Sequence, residues 1–361
     1  MSAVALDMVR APARSSALSR WRMRLFGTPV TAAVSLAIGL LIVWAGWPIL
    51  RWAIIDANWT GTTRTDCTAP GACWVFVRAR FGQFMYGLYP VDERWRANLA
   101  GLIALAGVAA ILLAPARFKL RLGLSVLVIV PVLGIWLLAG GFGLKPVETR
   151  DWGGLMLTIF ISVYASLIAI PLGILFALGR QSQLPLIRTL SVVFIEFWRG
   201  VPIIAVIFLA SLLLPLIMPS GVGVDRLARA IIGLGFVIAA YMAEAIRGGL
   251  QALPKGQAEA ATALGLSYWK TTGLIVLPQA LRISLPAMTN EFIALIKNTT
   301  LVLVVSILDL LGVAQASIAD PNWVGMNMEA YVFSGSIYWL ICFALSRWSK
   351  HLENQGARMH R

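Results

Sequence analysis

The chain has 361 residues, of which 59% are hydrophobic and only 13% are charged, and its mean hydropathy is +0.81. Soluble domains carry about a quarter charged residues, so this composition excludes an ordinary soluble protein and indicates a multi-pass membrane protein. The net charge of +14 would by itself suggest a nucleic-acid partner, but basic residues in a membrane protein usually mark its cytoplasmic side.

The predicted elements begin with a basic N-terminal stretch, residues 1–29, which contains five arginines. The apolar run that follows is too long for the core of a cleavable signal peptide and is interpreted as a true span. Apolar runs near 20 residues recur along the chain, long enough to cross a bilayer as helices. Eight spans are predicted, at roughly 30–50, 98–114, 122–143, 153–178, 190–217, 228–247, 280–307 and 330–347. The predicted fold class is therefore an all-α, polytopic helical membrane protein.

An even number of spans places both termini on the same side of the membrane. With the N-terminus inside, the inner segments hold 18 of the 30 basic residues but only four of the 16 acids, so the whole net charge falls on that face. These inner segments are 1–29, 115–121, 179–189, 244–285 and 347–361. The positive-inside rule thus predicts that both termini are cytoplasmic, and it weighs against nucleic-acid binding.

The largest outer segment is the loop 51–97, which contains Cys67 and Cys73. On this topology the two cysteines face an oxidising compartment, where either a disulfide or two free thiols fits the sequence. The third cysteine, Cys342, lies in an apolar run, and both histidines lie in the C-terminal tail. No cluster has the spacing of metal ligands, so no metal site is predicted.

A polar segment separates the sixth and seventh spans and reads AEAIRGGLQALPKGQAEAATALGLSYWKTTGLIVLP over 243–278. Residues 257–264 are helix formers, and Gly265 is expected to end that helix in a left-handed conformation. Ser267 is expected to cap a second short helix that runs to about Val276, and Pro278 to set the boundary of the next span. The predicted exposed surface consists of small residues and one acid, namely Glu259, Ala260, Ala261 and Ala263.

The layout of this segment resembles the coupling loop of binding-protein-dependent ABC importer permeases. The pattern is E-A-A, three residues, G, nine residues, I, one residue and L-P, and every named position matches. The resemblance defines a coupling loop over 248–278 and implies an ATPase-coupling role for a set of its residues. These are Gly256, Glu259, Ala260, Ala261, Gly265, Ile275, Leu277 and Pro278.

Three further stretches are similar to the permeases of polar amino acids. They are EFWRGVPI at 196–203, AAYMAEAIRGGLQALPKGQAEAATALG at 239–265 and LPQALRISLPAMTNEFIALIKNTTL at 277–301. The resemblance covers about 153–350. The additional N-terminal spans and the loop GACWVFVRARFGQFMYGLYPVDERWRANL resemble the larger subunits of general L-amino acid importers, nearer to the M-type than to the Q-type subunit.

The resemblance implies a type I ABC importer permease core of about five helices within 153–347. It places three additional spans and the periplasmic loop in 1–152, and a cytoplasmic tail in 348–361. The implied partners are a dimer of cytoplasmic ATP-binding cassette subunits, a second homologous permease subunit, a periplasmic amino-acid-binding protein and the lipid bilayer. The sequence has no GxxxxGK[ST] loop of its own, so no cofactor is expected in this chain and ATP is expected in the partner.

Polar groups inside membrane spans are costly and are therefore candidates for function. The candidates are Glu196, Arg199, Tyr241, Glu244, Asn290, Glu291, Lys297, Asn298 and Thr299. Glu244, Asn290, Lys297, Asn298 and Thr299 are assigned to a substrate pathway, with helix fastening as the alternative role. Arg199, Gly200 and Pro202 are assigned a structural role, as a kink.

Two other classes of function were weighed against an importer subunit. A secondary transporter of small polar solutes would be driven by an ion gradient without an ATPase partner, and the full coupling pattern argues against it. A membrane-embedded enzyme would show clustered histidine or carboxylate side chains at the membrane edge, and the sequence shows no such cluster. The chain is therefore expected to form part of a pore and to catalyse no reaction itself.

Overall fold

The computed structural model describes residues 17–217 and 223–359, and every regular element in these ranges is helical. The prediction of an all-α membrane protein is confirmed. Contacts between residues divide the chain into two compact units, Met1–Val75 and Phe76–Arg361. The division falls inside the predicted outer loop 51–97.

The described part of the first unit, residues 17–75, contains two complete α-helices, a π-helical turn and a 3-10 turn at Arg64–Asp66. The helices and the π-helical turn are α1 (Ala17–Phe26), α2 (Pro29–Leu50) and Arg51–Ile55. The Thr28 side chain accepts the Thr31 amide and Thr31 bonds back to the Thr28 backbone, so a capping box fixes the start of α2. No residue of α2 is buried, as expected for a helix whose apolar sides face lipid.

Thirteen α-helices, several of them short, lie in the described part of the second unit. They are α3 (Trp74–Tyr86, beginning at the unit boundary), α4 (Arg94–Leu113), α5 (Ala116–Ala139), α6 (Gly154–Arg180), α7 (Pro185–Gly200), α8 (Ile203–Leu212), α9 (Leu214–Ile217), α10 (Arg226–Ala252), α11 (Gly256–Ala263), α12 (Tyr268–Thr271), α13 (Leu277–Asn298), α14 (Leu310–Ile318) and α15 (Asn327–Met359).

Seven helical stretches among the described residues are long and apolar enough to cross a membrane. The pair α7 and α8 passes the same test together but is bent by 101°, and it makes the eighth span if it counts as one. The prediction of about eight spans thus holds only with this broken pair. The break falls at Val201 and Pro202, because proline cannot continue the hydrogen bonding of the preceding helix.

Several helices extend beyond the predicted spans. The predicted basic turn at 115–121 is mostly helical, because α5 begins at Ala116, directly after Pro115 at the N-cap position. An apolar helical stretch runs without interruption over Tyr268–Val305, so it begins before the predicted seventh span at 280–307. The last helix continues to Met359, past the predicted end of the eighth span at 347.

Helix α10 forms the centre of the second unit, and 67% of the residues in its most apolar 18-residue stretch are buried. It packs closely against α6 and α13 because glycines replace side chains at the contacts. A β-carbon at Gly173 would collide with Met242, and one at Gly249 would collide with the Ala280 carbonyl. This packing fixes the position of the Glu244 carboxyl, which lies on α10 between the two glycine contacts.

Candidate functional site

The coupling loop begins where α10 ends. Leu253 adopts an extended backbone conformation just before Pro254, as a residue preceding proline should, and α11 then starts at Gly256. Helix α11 ends in a Schellman motif, in which the Leu266 amide donates to Ala261 and the Gly265 amide donates to Thr262. Gly265 has φ +77°, so the predicted left-handed turn is present.

The surface of α11 differs from the prediction at one residue. Glu259, Ala260 and Ala263 are exposed, but Ala261 is only 2% exposed, so its placement on the outer surface was wrong. The carbonyl of Ala261 closes the Schellman motif, and its side chain is buried. Sequence reasoning missed the large apolar side chains beside it, since Leu264 is 82% and Trp269 76% exposed.

The second arm of the loop is continuous with the next span. Ser267 occupies the N-cap position of α12, but its side chain makes no capping hydrogen bond. A π-helical turn over Thr272–Val276 joins α12 to α13, and Pro278 lies inside this continuous helix, so the predicted boundary was wrong. The wider π turn accommodates the proline, which lacks an amide donor.

The structure thus separates the eight predicted coupling residues into two groups. Gly256, Glu259, Ala260 and Gly265 are exposed on the first arm or its turn. The remaining four residues, Ala261, Ile275, Leu277 and Pro278, are buried or half-buried. The first group is available for contact with another protein, and the second supports the helices that carry it.

A network of charges surrounds Glu244 where α10 meets α6 and α7. The Arg180 Nη1 atom donates to Glu244 Oε1 at 2.7 Å and to Glu196 at 3.1 Å. Arg247 Nη2 donates to Glu244 Oε2 at 2.7 Å. Both carboxylate oxygens of Glu244 therefore accept hydrogen bonds from arginine, and its side chain is 18% exposed.

Arg199 joins this network from the C-terminal end of α7. Its Nη1 lies 3.9 Å from Glu244 Oε2, and its guanidinium lies over the Tyr241 ring, 5.6 Å from the ring centre. The network is defined as Arg180, Arg199, Arg247, Glu196 and Glu244. In it, three guanidinium groups surround two carboxylates.

Sequence reasoning missed Arg180 and Arg247. Arg247 could have been found, because it stands three residues after Glu244 on one helix, a spacing that brings side chains together. Arg180 could not, because its contact depends on how α6 packs against α10. The structure therefore brings together four of the nine polar candidates (Glu196, Arg199, Tyr241 and Glu244) and adds two arginines. A fifth candidate, Glu291, is half-buried on α13.

The remaining candidates lie farther along α13 and its extension. Asn290 and Lys297 are exposed, and Asn298 is half-buried. Thr299 is fully buried, and its hydroxyl donates to the Ile296 carbonyl at 2.9 Å. Thr299 therefore has no free surface for a solute in this structure.

A second polar cluster surrounds the buried carboxylate of Asp309, which sequence reasoning did not single out. Asp309 Oδ1 accepts the Gly312 amide at 2.9 Å and so caps α14, while Oδ2 accepts the Tyr338 hydroxyl at 2.6 Å. Burial raises the pKa of the Asp309 carboxyl above its ordinary value, and these hydrogen bonds oppose the rise only in part. No arginine or lysine forms an ion pair with it among the described residues.

The outer loop of the first unit is closed by a bond between Cys67 and Cys73, whose Cα atoms are 5.7 Å apart. Of the two states that the sequence allowed, the structure has the disulfide. Nearby, Asp66 accepts the Thr62 and Thr63 amides, which lower the pKa of its carboxyl. The loop is therefore fixed by a covalent bond and by local hydrogen bonds.

Known proteins resemble this chain along nearly its whole length. "Inner membrane amino-acid ABC transporter permease protein YhdY" of Escherichia coli K12 is 51% identical over 326 residues, which are 88% of this chain and 89% of that protein. "Glutamate/glutamine/aspartate/asparagine transport system permease protein BztC" of Rhodobacter capsulatus is 37% identical and covers 97% of this chain and 96% of its own length.

A solved structure gives the same indication for part of the chain. A structure titled "Crystal structure of an amino acid ABC transporter with histidines" is 28% identical, with a TM-score of 0.50, over 56% of this chain and 92% of that chain. The family model for the binding-protein-dependent transport system inner membrane component matches residues 169–355. This match includes the charge network and the coupling loop, and the chain therefore belongs to that family of multi-pass membrane transport subunits.

Proposed function

We propose that the chain is the permease subunit of an ATP-driven, binding-protein-dependent importer that moves L-amino acids across the bacterial inner membrane. Family membership supports the transport class and disfavours an ion-coupled secondary transporter. The names of the relatives, which refer to amino acids, support the cargo class. The similarity to M-type subunits of general amino-acid importers is part of the same proposal.

The observation that carries the proposal is the exposed first arm of the coupling loop. Glu259 and Ala260 lie on a short helix beyond the end of α10, beside the exposed Leu264 and Trp269 side chains. A surface that combines small residues, an acid and large apolar groups is suited to docking in a groove of another protein. We assign this surface to a cytoplasmic ATP-binding cassette subunit, which acts as a dimer and binds the ATP.

Movement of that partner would reach the membrane spans by two routes. The first arm is joined to α10, which the charge network fastens to α6 and α7. The second arm is joined to α13 without a break. Closure of the ATPase dimer on ATP would then rock these helices and open the pore alternately to each side.

The other partners follow from the same class of transporter. A second homologous permease subunit would complete the pore, and a periplasmic amino-acid-binding protein would deliver the substrate. Both termini would be cytoplasmic, because the basic residues are concentrated on that face. This orientation puts the coupling loop on the ATPase side and the disulfide of the first unit in the oxidising periplasm.

The substrate pathway remains a proposal for Glu244, Asn290, Lys297 and Asn298, whose side chains keep accessible surface. Thr299 is buried, and we assign it to support of the Asp309 cluster instead. Arg199, Gly200 and Pro202 lie at the 101° break, where a kink was expected. We assign Gly200 and Pro202 to the break and Arg199 to the charge network.

The test is uptake of radiolabelled amino acids into vesicles that contain the reconstituted permease pair, with and without the ATPase and the binding protein. Uptake is expected only when all components and ATP are present. Uptake driven by an ion gradient without the ATPase would refute the proposal.

The docking surface is tested by Glu259→Lys, with Glu353→Lys as the matched control. Both are exposed acids assigned to the cytoplasmic face, but Glu353 lies on α15, outside the coupling loop. Glu259→Lys is expected to reduce copurification of the ATPase, while Glu353→Lys leaves it unchanged. Equal copurification and transport in both variants would contradict the docking role.

A further inference from the structure

A polar cavity of about 380 Å³ lies at the end of α10 that is farthest from the coupling loop. Ser211 at the end of α8, Arg226 and Arg229 on the first turn of α10, and Ser306 after α13 supply its polar lining. Val304 and Val305 form part of its apolar wall. No acidic residue lines it among the described residues.

The two arginines in this cavity form no ion pair with a described carboxylate, unlike the three arginines of the charge network. The Arg229 Nη1 atom donates to the Ser211 carbonyl, while its Nε is buried without a hydrogen-bond partner. The nearest acid in sequence, Asp225, already accepts from the Thr149 hydroxyl and the Ala228 amide.

The Ser211 hydroxyl is the second observation that points to a ligand. Ser211 is only 5% exposed, and its Oγ has no hydrogen-bond partner among the described residues. Other helical serines, such as Ser162, Ser191 and Ser284, donate to the carbonyl four residues earlier. An unpaired buried hydroxyl costs free energy, so a polar group bound beside it would stabilise it.

Elementary electrostatics decides the sign of that group. Two uncompensated guanidinium groups and the N-terminal end of a 27-residue helix all favour negative charge. Arginine binds carboxylates through parallel hydrogen bonds, and a serine hydroxyl can donate a further one. An ammonium group would find no carboxylate in this lining, so a cation is disfavoured.

We propose that this cavity is a binding site for the carboxylate of a small solute, which enters here before it reaches the charge network. The assignment rests on the proposed function, because an imported amino acid supplies such a carboxylate on this side of the membrane. Arg229 also borders an apolar cavity of about 330 Å³ that includes Phe197, Trp198 and Phe236. An apolar substituent on the same solute could therefore lie beside the bound carboxylate.

The test is equilibrium binding to the complete transporter without its binding protein, in nanodiscs made only of phosphatidylcholine. The probes are propionate, L-alanine and propylamine. Wild-type protein is expected to bind the two carboxylates and not the amine. Arg229→Gln, Arg226→Gln and Ser211→Ala are expected to weaken propionate binding, with the arginine variants weakened about tenfold or more because a charged hydrogen bond is lost.

Arg150→Gln is the matched control, since Arg150 is an exposed arginine that does not line this cavity. Arg226 is exposed, so Arg226→Gln is expected to fold even if Arg229→Gln does not. Equal propionate affinity in wild type, Arg226→Gln and Ser211→Ala would overturn the proposal. A parallel set of nanodiscs contains an anionic phospholipid. Occupancy of the site by that lipid, with no binding of propionate in either set, would also overturn the proposal.

Uptake separates this inference from the proposed function. If the wild-type transporter shows ATP-dependent uptake and Arg226→Gln leaves both propionate affinity and the KM for L-alanine unchanged, only the carboxylate site fails. If wild type shows no ATP-dependent uptake at all, the proposed function itself fails.

Discussion

The coupling loop and the charge network both adjoin the C-terminal part of α10, yet they are built in opposite ways. The exposed arm of the coupling loop is held by its own backbone, through the Schellman motif at Gly265. The network is held by side chains from different helices, and its centre, Glu244, keeps little contact with solvent. One region leaves its surface free for a partner, and the other uses its polar groups to fasten the helices.

This difference predicts which substitutions affect association with a partner and which affect the stability of the fold. Substitutions on the exposed face of α11 should affect association with a partner and leave folding intact. Substitutions in the network should affect the packing of α6, α7 and α10 first, and transport as a consequence. The predictions below test that separation, in order of decreasing effect on stability.

Glu244→Gln is expected to have the largest effect. It leaves Arg180, Arg199 and Arg247 without their shared carboxylate, at a cost of about 2–3 kcal/mol in the free energy of unfolding. This cost lies below the range of about 3–5 kcal/mol for breaking a fully buried ion pair, because the Glu244 side chain keeps some contact with solvent. The measurement is denaturant unfolding of the purified protein in detergent micelles.

The control for this variant is Glu148→Gln, which removes an exposed carboxylate paired with Arg150. It is expected to change stability by no more than about 0.5 kcal/mol. If Glu244→Gln were no more destabilising than Glu148→Gln, the network would not fasten the helices.

Ala261→Leu and Ala260→Leu place the same side chain at neighbouring positions of α11. Ala261 is buried, so leucine there is expected to overpack the site and cost about 2 kcal/mol. Ala260 is exposed, so leucine there is expected to change stability by less than about 0.5 kcal/mol while reducing ATPase copurification. The measurements are thermal unfolding and ATPase copurification on both variants. Ala261→Leu should have the lower unfolding midpoint, and Ala260→Leu the lower copurification. If one variant were lower in both measurements, the assigned surface would be contradicted.

Gly265→Ala tests the turn itself. A β-carbon at this position meets open space, so only the left-handed backbone opposes it, at a cost of about 1 kcal/mol. Gly335→Ala on α15 is the control, because it also meets open space but has an ordinary helical backbone. Gly265→Ala should have the lower unfolding midpoint of the two variants. A midpoint equal to or higher than that of Gly335→Ala would exclude strain at the turn.

Asp309→Asn neutralises a buried carboxylate, as Glu244→Gln does, but it is expected to change stability by less than about 1 kcal/mol. Asparagine can keep the Gly312 cap, and no described cation is left unpaired. In wild type the raised pKa means that the folded state holds its proton longer than the unfolded state. The free energy of unfolding should therefore fall as the pH rises from 3.8 through the raised value.

That slope should be absent in Asp309→Asn. The measurement is unfolding at a series of pH values on wild type and variant, and their difference isolates this carboxyl. If the free energy of unfolding of wild type, relative to that of the variant, rose with pH over this interval, the predicted direction of the pH dependence would be wrong.

The features that sequence predicted correctly depend on residues close together in the chain. The left-handed turn needs only Gly265, and the broken span needs only Pro202 after an apolar helix. The number of spans follows from hydropathy, which averages over neighbours. The disulfide remained open until the structure placed Cys67 next to Cys73.

The features that sequence missed depend on how separate helices meet. Arg180 reaches Glu244 only because glycine lets α6 approach α10. The inward direction of Ala261 and the burial of Asp309 depend in the same way on neighbouring elements. The predicted seventh span begins later than the helix because Pro278 was expected to set its boundary, whereas the helix continues past this proline.

The uninterrupted helix from Tyr268 to Val305 has a mechanical consequence. Its 38 residues would measure about 55 Å at the α-helical rise, and a tilt of about one degree would displace its far end by about 1 Å. Its near end belongs to the coupling loop, and its far end adjoins Ser306 in the carboxylate cavity. A small rotation imposed by ATP on one face of the membrane could therefore change the shape of a solute site on the opposite face without passing through any loop.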